Sequence, residues 1–358
     1  MKSIFIIITV FILTGSIFAQ EQQIDSLKGN KVVLDEVFVS AIRVTKESPV
    51  TFSNLTKEEI APRNLGQDIP ILMNFLPSVV TTSDAGAGIG YTGIRVRGSD
   101  ATRVNVTING IPYNDPESQG TFWVNMPDFS SSTQSLQLQR GVGTSTNGAG
   151  AFGASLNVLT DGFSQEAFAQ IASSIGSFNT LKNSIKFSTG LLNDHVEIAG
   201  RLSRISSDGY IDRASSDLDS YFLQGTYKSD KTLLKALIFG GHEVTYQAWY
   251  GTPLARINND AAGVEDFIAE NFLSDAEAEN LRNSDRRYNY YTYENEVDNY
   301  KQNHAQLLWN QNLNKNWSSN LAFHYTRGRG YFEQYKVDED FETYGITPIN
   351  VDGEDVNT

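Results

Sequence analysis

Three arginines lie on two neighbouring strand-like runs of GIRVRGSDATRVNVTINGIPYND, residues 93–115. Arg95 and Arg97 are two residues apart, which places both side chains on one face of an extended strand, and Arg103 opens the next run. A guanidinium group pairs strongly with carboxylates, and the chain has 42 Asp and Glu against 28 Lys and Arg. The spacing is therefore typical of residues that form ion pairs, or of a solvated strand face.

A second group of residues with recognition chemistry lies in and beside the long segment from Gly251 to Asn299. Clustered Tyr and Trp side chains with Arg are typical of recognition surfaces. The segment also contains the amphipathic stretch GVEDFIAENFLSDAEAENL, with Val264, Phe267, Ile268 and Phe272 on one side. An anionic or aromatic ligand would suit this cluster, and an aromatic girdle or simple loop packing is an equal alternative. The residues concerned are Trp249, Tyr250, Arg256, Arg286, Arg287 and Tyr290.

Motifs for catalysis and for cofactor or metal binding are weak or missing in the sequence. GIGYTG, residues 88–93, fits the dinucleotide pattern G-x-G-x-x-G, but that fingerprint needs a helix to follow, and here the strand-like IRVRG follows. The four histidines are scattered, and neither His-Glu-x-x-His nor Gly-x-Ser-x-Gly occurs. The net charge of −14 disfavours nucleic acid. We therefore predict no catalytic residue, no metal site and no cofactor.

The N-terminus indicates export. MKSIFIIITVFILTGSIFAQ has a positive start at Lys2, an apolar run and small residues up to Ala19, the pattern of a cleaved secretory signal over residues 1–19. A membrane anchor is the less favoured alternative because the apolar run is shorter than the ~20 residues that a spanning helix needs. The chain has no cysteine, which argues against a disulfide scaffold in an exported protein.

Residues 49–162 are expected to form a small mixed α/β domain. Thr56 and Glu59 have the spacing of a capping box, and a second short helix pattern follows from Asp68 to Leu76. The runs GIRVRG, RVNVTING and SLQLQRG alternate with period two and end in glycine, so each predicts a strand.

From about residue 163 the sequence changes to long alternating strands. About seven are predicted, near 167–177, 181–191, 194–206, 219–229, 232–246, 299–312 and 317–329, each with one apolar and one polar face. Short polar turns alternate with long loops, which is typical of membrane barrels and not required in a soluble sandwich. A sheet in lipid must close, and bacterial barrels usually have an even number of strands, so we expect these strands to be part of a longer protein.

An isolated β-prone segment, VVLDEVFVSA at residues 32–41, precedes the α/β domain. A single strand is not stable alone and needs an edge with which to pair. It could be the first strand of the following domain or a segment that pairs with another protein.

Several ordered motifs together resemble one family, the TonB-dependent outer-membrane receptors. LDEVFVSA resembles the TonB box, residues 76–115 resemble the central plug signature, and SLQLQRGVGTSTNGAGAFGASLNVLT resembles the signature that closes the plug; the loop composition is similar to that of Bacteroidetes-type members. The resemblance implies a mixed α/β plug domain followed by the antiparallel strands of a transmembrane β-barrel, incomplete at about seven strands. It divides the chain into residues 1–19, 20–48 with the box at 34–41, 49–162 and 163–358. The box residues are Leu34, Asp35, Glu36, Val37, Phe38, Val39, Ser40 and Ala41.

The resemblance also implies roles for the polar residues. Arg95, Arg97, Arg103 and Arg140 would be plug–barrel contacts or pairs within the plug, weak enough to let the plug move. Ligand would bind at the external mouth, where the loops meet the plug segments around Asp84 to Tyr91 and Asn114 to Trp123. The predicted plug residues of this site are Asp84, Tyr91, Asn114, Asp115 and Trp123.

Location, partners and activity follow from the same resemblance. The protein would sit in the cell outer membrane, contact its lipid, and be driven by a TonB-type energy transducer of the inner membrane. It would import a small extracellular ligand, with a ferric siderophore or similar metal chelate favoured because only a short lead precedes the box. Cobalamin, haem or an oligosaccharide are alternative cargoes. A passive porin or adhesin and a secreted soluble β-protein are alternatives of other classes.

Overall fold

The N-terminal half of the structure is built around a mixed sheet flanked by short helices. The computed structural model describes residues 43–144, 151–336 and 339–356, all within one compact unit that runs from residue 34 to the end of the chain. The predicted signal peptide and TonB box lie outside the described residues. We call the described residues from Arg43 to Gly162 the block. Its strands are β1 (Phe52–Thr56), β2 (Val79–Ser83), β3 (Thr92–Val96), β4 (Val104–Ile108), β5 (Ile111–Pro112), β6 (Thr133–Arg140) and β7 (Ala154–Thr160).

Five of these strands form one sheet, in the order β1-β6-β7-β4-β5, and β2 pairs with β3 in a separate hairpin. Only the β4–β7 pairing in the larger sheet is parallel. The helices are α1 (Lys57–Ile60) and α2 (Ile69–Leu72), and α1 begins with the predicted capping box between Thr56 and Glu59. The glycines of GIGYTG lead into β3 and not into a helix, as expected.

The C-terminal half is a seven-stranded antiparallel meander that we call the wall. Consecutive strands pair in the order β8 to β14, as the sequence predicts. Short links join β9 to β10, β11 to β12 and β13 to β14, whereas the longest links lie at the opposite end. A small hairpin, β15 (Ile349–Val351) with β16 (Glu354–Val356), follows. The wall strands are β8 (Ala167–Ile175), β9 (Leu181–Thr189), β10 (Val196–Ser207), β11 (Ser216–Lys228), β12 (Thr232–Tyr246), β13 (Val297–Asn312) and β14 (Ser318–Phe332).

The two faces of the wall differ in the manner of a membrane barrel. Lys182, Ser184 and Arg201 are buried on the face that covers the block, whereas Ile185 and Leu202 are exposed on the other face. A polar inner face and an apolar outer face are the pattern of a sheet that separates a wet lumen from lipid. The structure therefore confirms the predicted fold class.

The block lies against the inner face of the wall. The ring of Phe129 lies 5.1 Å from that of Phe239 and 6.3 Å from that of Phe222, and all three belong to one buried apolar cluster. Gly241 of β12 leaves room for the block, because a Cβ there would lie 2.6 Å from Pro127 Cδ.

The longest loop, between β12 and β13, is partly helical. It contains α3 (Leu254–Ile257), α4 (Ala261–Glu270) and α5 (Asp275–Asn283), so the amphipathic stretch is two helices, divided where Ser274 forms a new capping box. Val264 is buried, but Phe272 is 92 % exposed in a left-handed conformation and does not share its side, contrary to the prediction. Among the described residues, no helix has the length and apolar character needed to cross a membrane.

Candidate ligand-binding mouth and the ties of the block

The turn between β2 and β3 forms the apex of the block at the long-loop end of the wall. The backbone N–H groups of Tyr210 and Ile211 donate to Ala85 O at 2.8 and 3.2 Å. Gly86 has φ +73°, and a Cβ on it would lie 2.9 Å from Tyr210 Cβ. Gly90 has φ +88°, and a Cβ on it would lie 2.7 Å from Ser216 Oγ of β11. Glycine at these positions therefore allows the apex to approach the loop between β10 and β11.

An aromatic cluster covers the apex. The ring of Trp249 lies 5.7 Å from that of Tyr91 and 6.2 Å from that of Tyr291, in edge-to-face arrangements. Tyr250 continues the cluster, with its ring 4.8 Å from that of Tyr290. Such pairs contribute about 0.5–1.5 kcal/mol each beyond the area that they bury. The long loop is thereby held against the block.

A cavity of about 350 Å³ lies between the apex and this loop. It brings together Asp84, Trp249, Tyr250 and Arg286, four of the residues predicted to contact a ligand. Tyr250 is 73 % exposed and the Arg286 side chain is also exposed, so the cavity is reachable from outside. Burial raises the pKa of Asp84 to about 6. The site offers a carboxyl group, a guanidinium group and aromatic faces to a small polar ligand.

Three other predicted ligand residues have structural partners. Arg287 forms an ion pair with Asp212 at 3.1 Å and donates to Tyr210 O at 2.8 Å. Arg256 Nη2 donates to Asn259 Oδ1 at 3.1 Å, and Tyr290 Oη donates to a Glu277 carboxylate oxygen at 2.7 Å. These side chains shape the loop around the cavity.

The second predicted plug segment lies elsewhere. Asn114 Oδ1 accepts from Val106 N at 2.7 Å, and Asp115 Oδ1 accepts from Ser118 N at 2.7 Å, so both side chains fix a turn. They line a separate cavity of about 330 Å³. Trp123 is only 2 % exposed within the core and is closed to an external ligand, which corrects the expectation for this residue. Burial of its apolar ring stabilises the core.

Ion pairs join the block to the wall, but the arrangement is the reverse of that expected: the acid lies on the block and the cations lie on the wall. Asp128 of the block lies 2.6 Å from Lys182 Nζ and 3.0 Å from Arg201 Nη1, and all three side chains are at most 4 % exposed. Ser203 Oγ donates to the same carboxylate at 2.7 Å. Burial alone would raise the pKa of Asp128, but the charges of Arg201 and Lys182 outweigh burial and hold the pKa below its ordinary value. Asp128 is therefore a charged anchor.

A second acid, Asp161, follows β7 at the opposite end of the block from the apex. Its carboxylate is shared between Lys57 Nζ at 2.6 Å and Lys186 of β9. Single hydrogen bonds attach the block to β13: Asn109 Nδ2 donates to Gln306 Oε1 at 3.0 Å, and Tyr91 Oη donates to a carboxyl oxygen of Asp298.

The four arginines that sequence reasoning selected lie apart from these ties. Arg95, Arg97 and Arg103 are exposed. Arg140 is buried, and its guanidinium group donates to Ser53 Oγ at 2.8 Å within the block. This contact lies within the block, which was one of the two roles predicted for Arg140. A wall contact for the three exposed arginines stays a prediction.

Arg43 is a site residue that sequence reasoning missed. It is the first described residue, two positions after the predicted box, and its guanidinium group donates to Ser135 O at 2.9 Å and Asn157 O at 2.8 Å. Val44 adds two bonds, because its N–H donates to Gln137 Oε1 at 2.9 Å and its carbonyl accepts from Gln137 Nε2 at 3.0 Å. Burial lowers the pKa of Arg43 to about 10. The chain at Arg43 and Val44, directly after the segment predicted to be the box, is thus fastened to β6 and β7.

Metal ligands are not grouped in the described parts of the chain, where no set of three or more His, Asp or Glu side chains could hold a metal ion.

Comparison with known proteins supports this architecture. Residues 44–155 match the family model of the TonB-dependent Receptor Plug Domain. That family consists of transporters and not enzymes, and its receptors sit in the bacterial outer membrane, as predicted. No curated protein matches the chain.

Solved structures show the same fold. The ferric-catecholate import receptor Fiu from E. coli K12 in its closed form has a TM-score of 0.61 at 14% identity and covers 89% of this chain. The unliganded ferric citrate transporter FecA has a TM-score of 0.57 at 18% identity over 81% of the chain, and the alcaligin receptor FauA from Bordetella pertussis has 0.56 at 13% over 79%. The chain spans 40%, 42% and 40% of these three structures, respectively.

Proposed function

We propose, on the premise that the block is a TonB-dependent receptor plug domain held in the first strands of a receptor barrel, that this chain belongs to an active importer of the outer membrane. The importer takes a scarce ligand from outside and is driven by a TonB-type transducer that pairs with residues 34–41. A ferric siderophore or similar metal chelate is the proposed cargo.

The observation that carries the proposal is the position of the block between two functional ends. At one end, the apex and the long loop enclose the cavity that holds Asp84, Trp249 and Arg286. At the other end, Arg43 and Val44 fasten the chain that follows the box to the sheet of the block. A pull on the box would therefore act directly on β6 and β7.

The cargo class is supported by two considerations. The cavity has cationic, anionic and aromatic groups, which suit a polar chelate with aromatic or carboxylate arms. The similar structures named above are described as receptors for ferric-catecholate, ferric citrate and alcaligin, at identities of 13–18%.

Deletion of residues 34–41 from the full-length protein tests the energised step. Cells that carry the deletion should bind ferric citrate or a ferric tris-catecholate at the surface but accumulate none, because strand addition to the transducer is lost. Deletion of residues 24–31, which has the same length and leaves the box intact, is the control. Flux that survives the box deletion would identify a passive pore. If neither iron complex binds but cobalamin, haem or an oligosaccharide accumulates in a box-dependent manner, the cargo assignment fails and the importer assignment stands.

A further inference from the structure

A buried carboxyl group of the wall lies beneath the apex of the block. Glu243 of β12 is only 2 % exposed, and the hydroxyl group of Thr245 donates to its Oε2 at 3.1 Å. Thr245 stands opposite Asp298 of β13 in the sheet register, so Glu243 and Asp298 are diagonal neighbours on the inner face. Diagonal neighbours in an antiparallel pair lie about 7–8 Å apart, within reach of long side chains. The two carboxyl groups therefore share one small patch of the wall.

The apex reaches this patch through Tyr91. The hydroxyl group of Tyr91 donates to a carboxyl oxygen of Asp298. A Cβ on the preceding residue, Gly90, would lie 3.7 Å from Thr245 Cγ2, so the backbone of the apex lies against the same patch. Burial raises the pKa of Tyr91 above its ordinary value, so the phenol stays a hydrogen-bond donor at neutral and mildly alkaline pH. Tyr91 and Asp298 thus join the apex to β13.

The described elements around the patch bring acids or uncharged side chains to it. Asp84 and Asp68 of the block lie close enough to act electrostatically on Tyr91 and Glu243, respectively. No ion pair among the described residues includes either of these acids or the two acids of the wall. The uncharged residues that face the patch or cover it are Ser216 and Leu218 of β11, Trp249 of the long loop and Phe332 of β14.

The ring of Tyr300 closes the patch on the side of β14. A Cβ on Gly328 would lie 1.8 Å from Tyr300 Oη, and a Cβ on Gly330 would lie 2.6 Å from Tyr300 Cδ2, so the ring lies across this strand. The basic residues at the same level, His242 and Lys301, stand opposite each other in the register and lie on the outer face. A carboxylate that is buried without a cation is so costly that the group takes up a proton instead. We therefore expect the patch to hold a proton at neutral pH.

We propose that Glu243 and Asp298 share a proton that keeps the apex closed, and that loss of this proton releases Tyr91 from β13. We call the hydrogen bond of Tyr91 to this pair of acids the latch. While one proton is present, Glu243 is neutral and Asp298 accepts from Tyr91. Two neighbouring carboxylates in a buried site repel each other, and the acids Asp84 and Asp68 add to the negative charge.

The latch weakens as the pH rises. The closed state holds a proton that the opened and hydrated state gives up, so the free energy that keeps the apex closed is lost in the alkaline direction. The latch acts on the apex itself and is independent of the cargo that the protein carries.

Hydrogen exchange of the full-length protein in detergent, at about pH 6 and about pH 9, tests the latch. After correction for the intrinsic effect of pH on exchange, residues 84–91 should open severalfold more at the higher pH. Glu243→Gln stays neutral and keeps an acceptor for Thr245 Oγ1, so it should remove this difference. Tyr91→Phe lacks the donor and should open the apex to the same extent at both pH values.

Two controls separate the latch from other buried acids. Glu296→Gln removes a buried acid at the same end of the wall, whose carboxylate accepts from Tyr293 N at 3.0 Å, and should respond to pH like the wild type. Burial raises the pKa of Asp68 to about 8, so Asp68→Asn removes the other acid that could titrate in this range and should keep most of the pH difference. Exchange in β10 to β12 checks that every variant is folded. The same pH dependence in Glu243→Gln as in the wild type, its loss in Asp68→Asn alone, or wild-type behaviour of Tyr91→Phe would each overturn the proposal.

Discussion

Asp128 attaches the block to the wall through a buried carboxylate. Its carboxylate joins a left-handed turn of the block to two cations on neighbouring strands of the wall. The pair is buried, and loss of one partner from a buried ion pair leaves an uncompensated charge. An exposed pair such as Arg204–Asp217 has no such consequence, because solvent screens it.

The substitution Asp128→Asn should therefore loosen the block. We expect a loss of about 3–5 kcal/mol in the free energy of unfolding of the block, because Lys182 and Arg201 stay buried without their anion. Urea unfolding of the full-length protein, followed by fluorescence, measures the change. Asp217→Asn is the matched control and should cost less than ~1 kcal/mol. Equal midpoints for the two variants would contradict the anchoring role.

Asp68 gives the block a pH dependence. Burial raises its pKa to about 8 from 3.8, although its hydrogen bond from Thr92 Oγ1 opposes the rise. The folded protein keeps a proton that the unfolded chain releases in this window, so stability should fall as the pH rises from about 4 to 8. Asp68→Asn stays neutral and keeps an acceptor for Thr92. It should flatten the fall in urea midpoint between pH 5 and 8, and an identical slope in both proteins would refute the assignment.

The polarity of the ties could not be predicted from the sequence. Arg95, Arg97 and Arg103 attract attention because alternation and charge are visible in one short window. Asp128 and Lys182 are 54 positions apart and meet only through the packing of the block on the wall. Arg43 is closer to a visible motif, since a cation two positions after the predicted box in an acidic chain is a local signal.

At the scale of elements, the strands were predictable and the loops were not. The wall strands from β9 to β13 present one face outward and one towards the block, so their side chains alternate in burial with a period of two. The amphipathic stretch of the long loop is instead divided into α4 and α5. The division lies at Phe272, whose backbone is left-handed and whose apolar side chain is exposed to solvent. Of the residues predicted for the ligand-binding mouth, Asp84 and Arg286 line one cavity, whereas Trp123 belongs to the core. Ligand binding in that cavity stays a prediction.

The approach of the apex to the loop between β10 and β11 depends on Gly86. In Gly86→Ala, the new Cβ would lie 2.9 Å from Tyr210 Cβ, so the loop must shift and weaken the bonds of Tyr210 and Ile211 to Ala85. Hydrogen exchange at residues 208–215 should become severalfold faster. Gly98→Ala also has positive φ, with nothing within 4 Å, and pays only about 1 kcal/mol of backbone strain. If both variants accelerate exchange in this loop equally, steric contact is not the cause.

At the scale of the whole molecule, the two sides of the block are held differently. Charged ties lie on β9 and β10, whereas the ties to β13 include hydrogen bonds from Asn109 and Tyr91. Removal of one partner from a buried ion pair costs about 3–5 kcal/mol. A single hydrogen bond contributes about 0.5–1.5 kcal/mol, or about 1.5–3 kcal/mol where the acceptor is a carboxylate. A pull on the N-terminal segment should therefore free the β13 side and the apex before the β9 side.

Cross-linking the apex to the wall tests whether this separation opens the path for the ligand. A Cβ on Gly90 would lie 3.8 Å from Ser216 Cβ, a separation at which disulfides form, and the chain has no cysteine of its own. The oxidised double variant G90C/S216C should bind the iron complexes at the surface without accumulating them, and a reducing agent should restore uptake. The single variants G90C and S216C carry the same strain without the bridge and should transport in both redox states. Uptake that continues in the oxidised double variant would show that the apex stays on β11 during transport, and that the ligand passes along another side of the block.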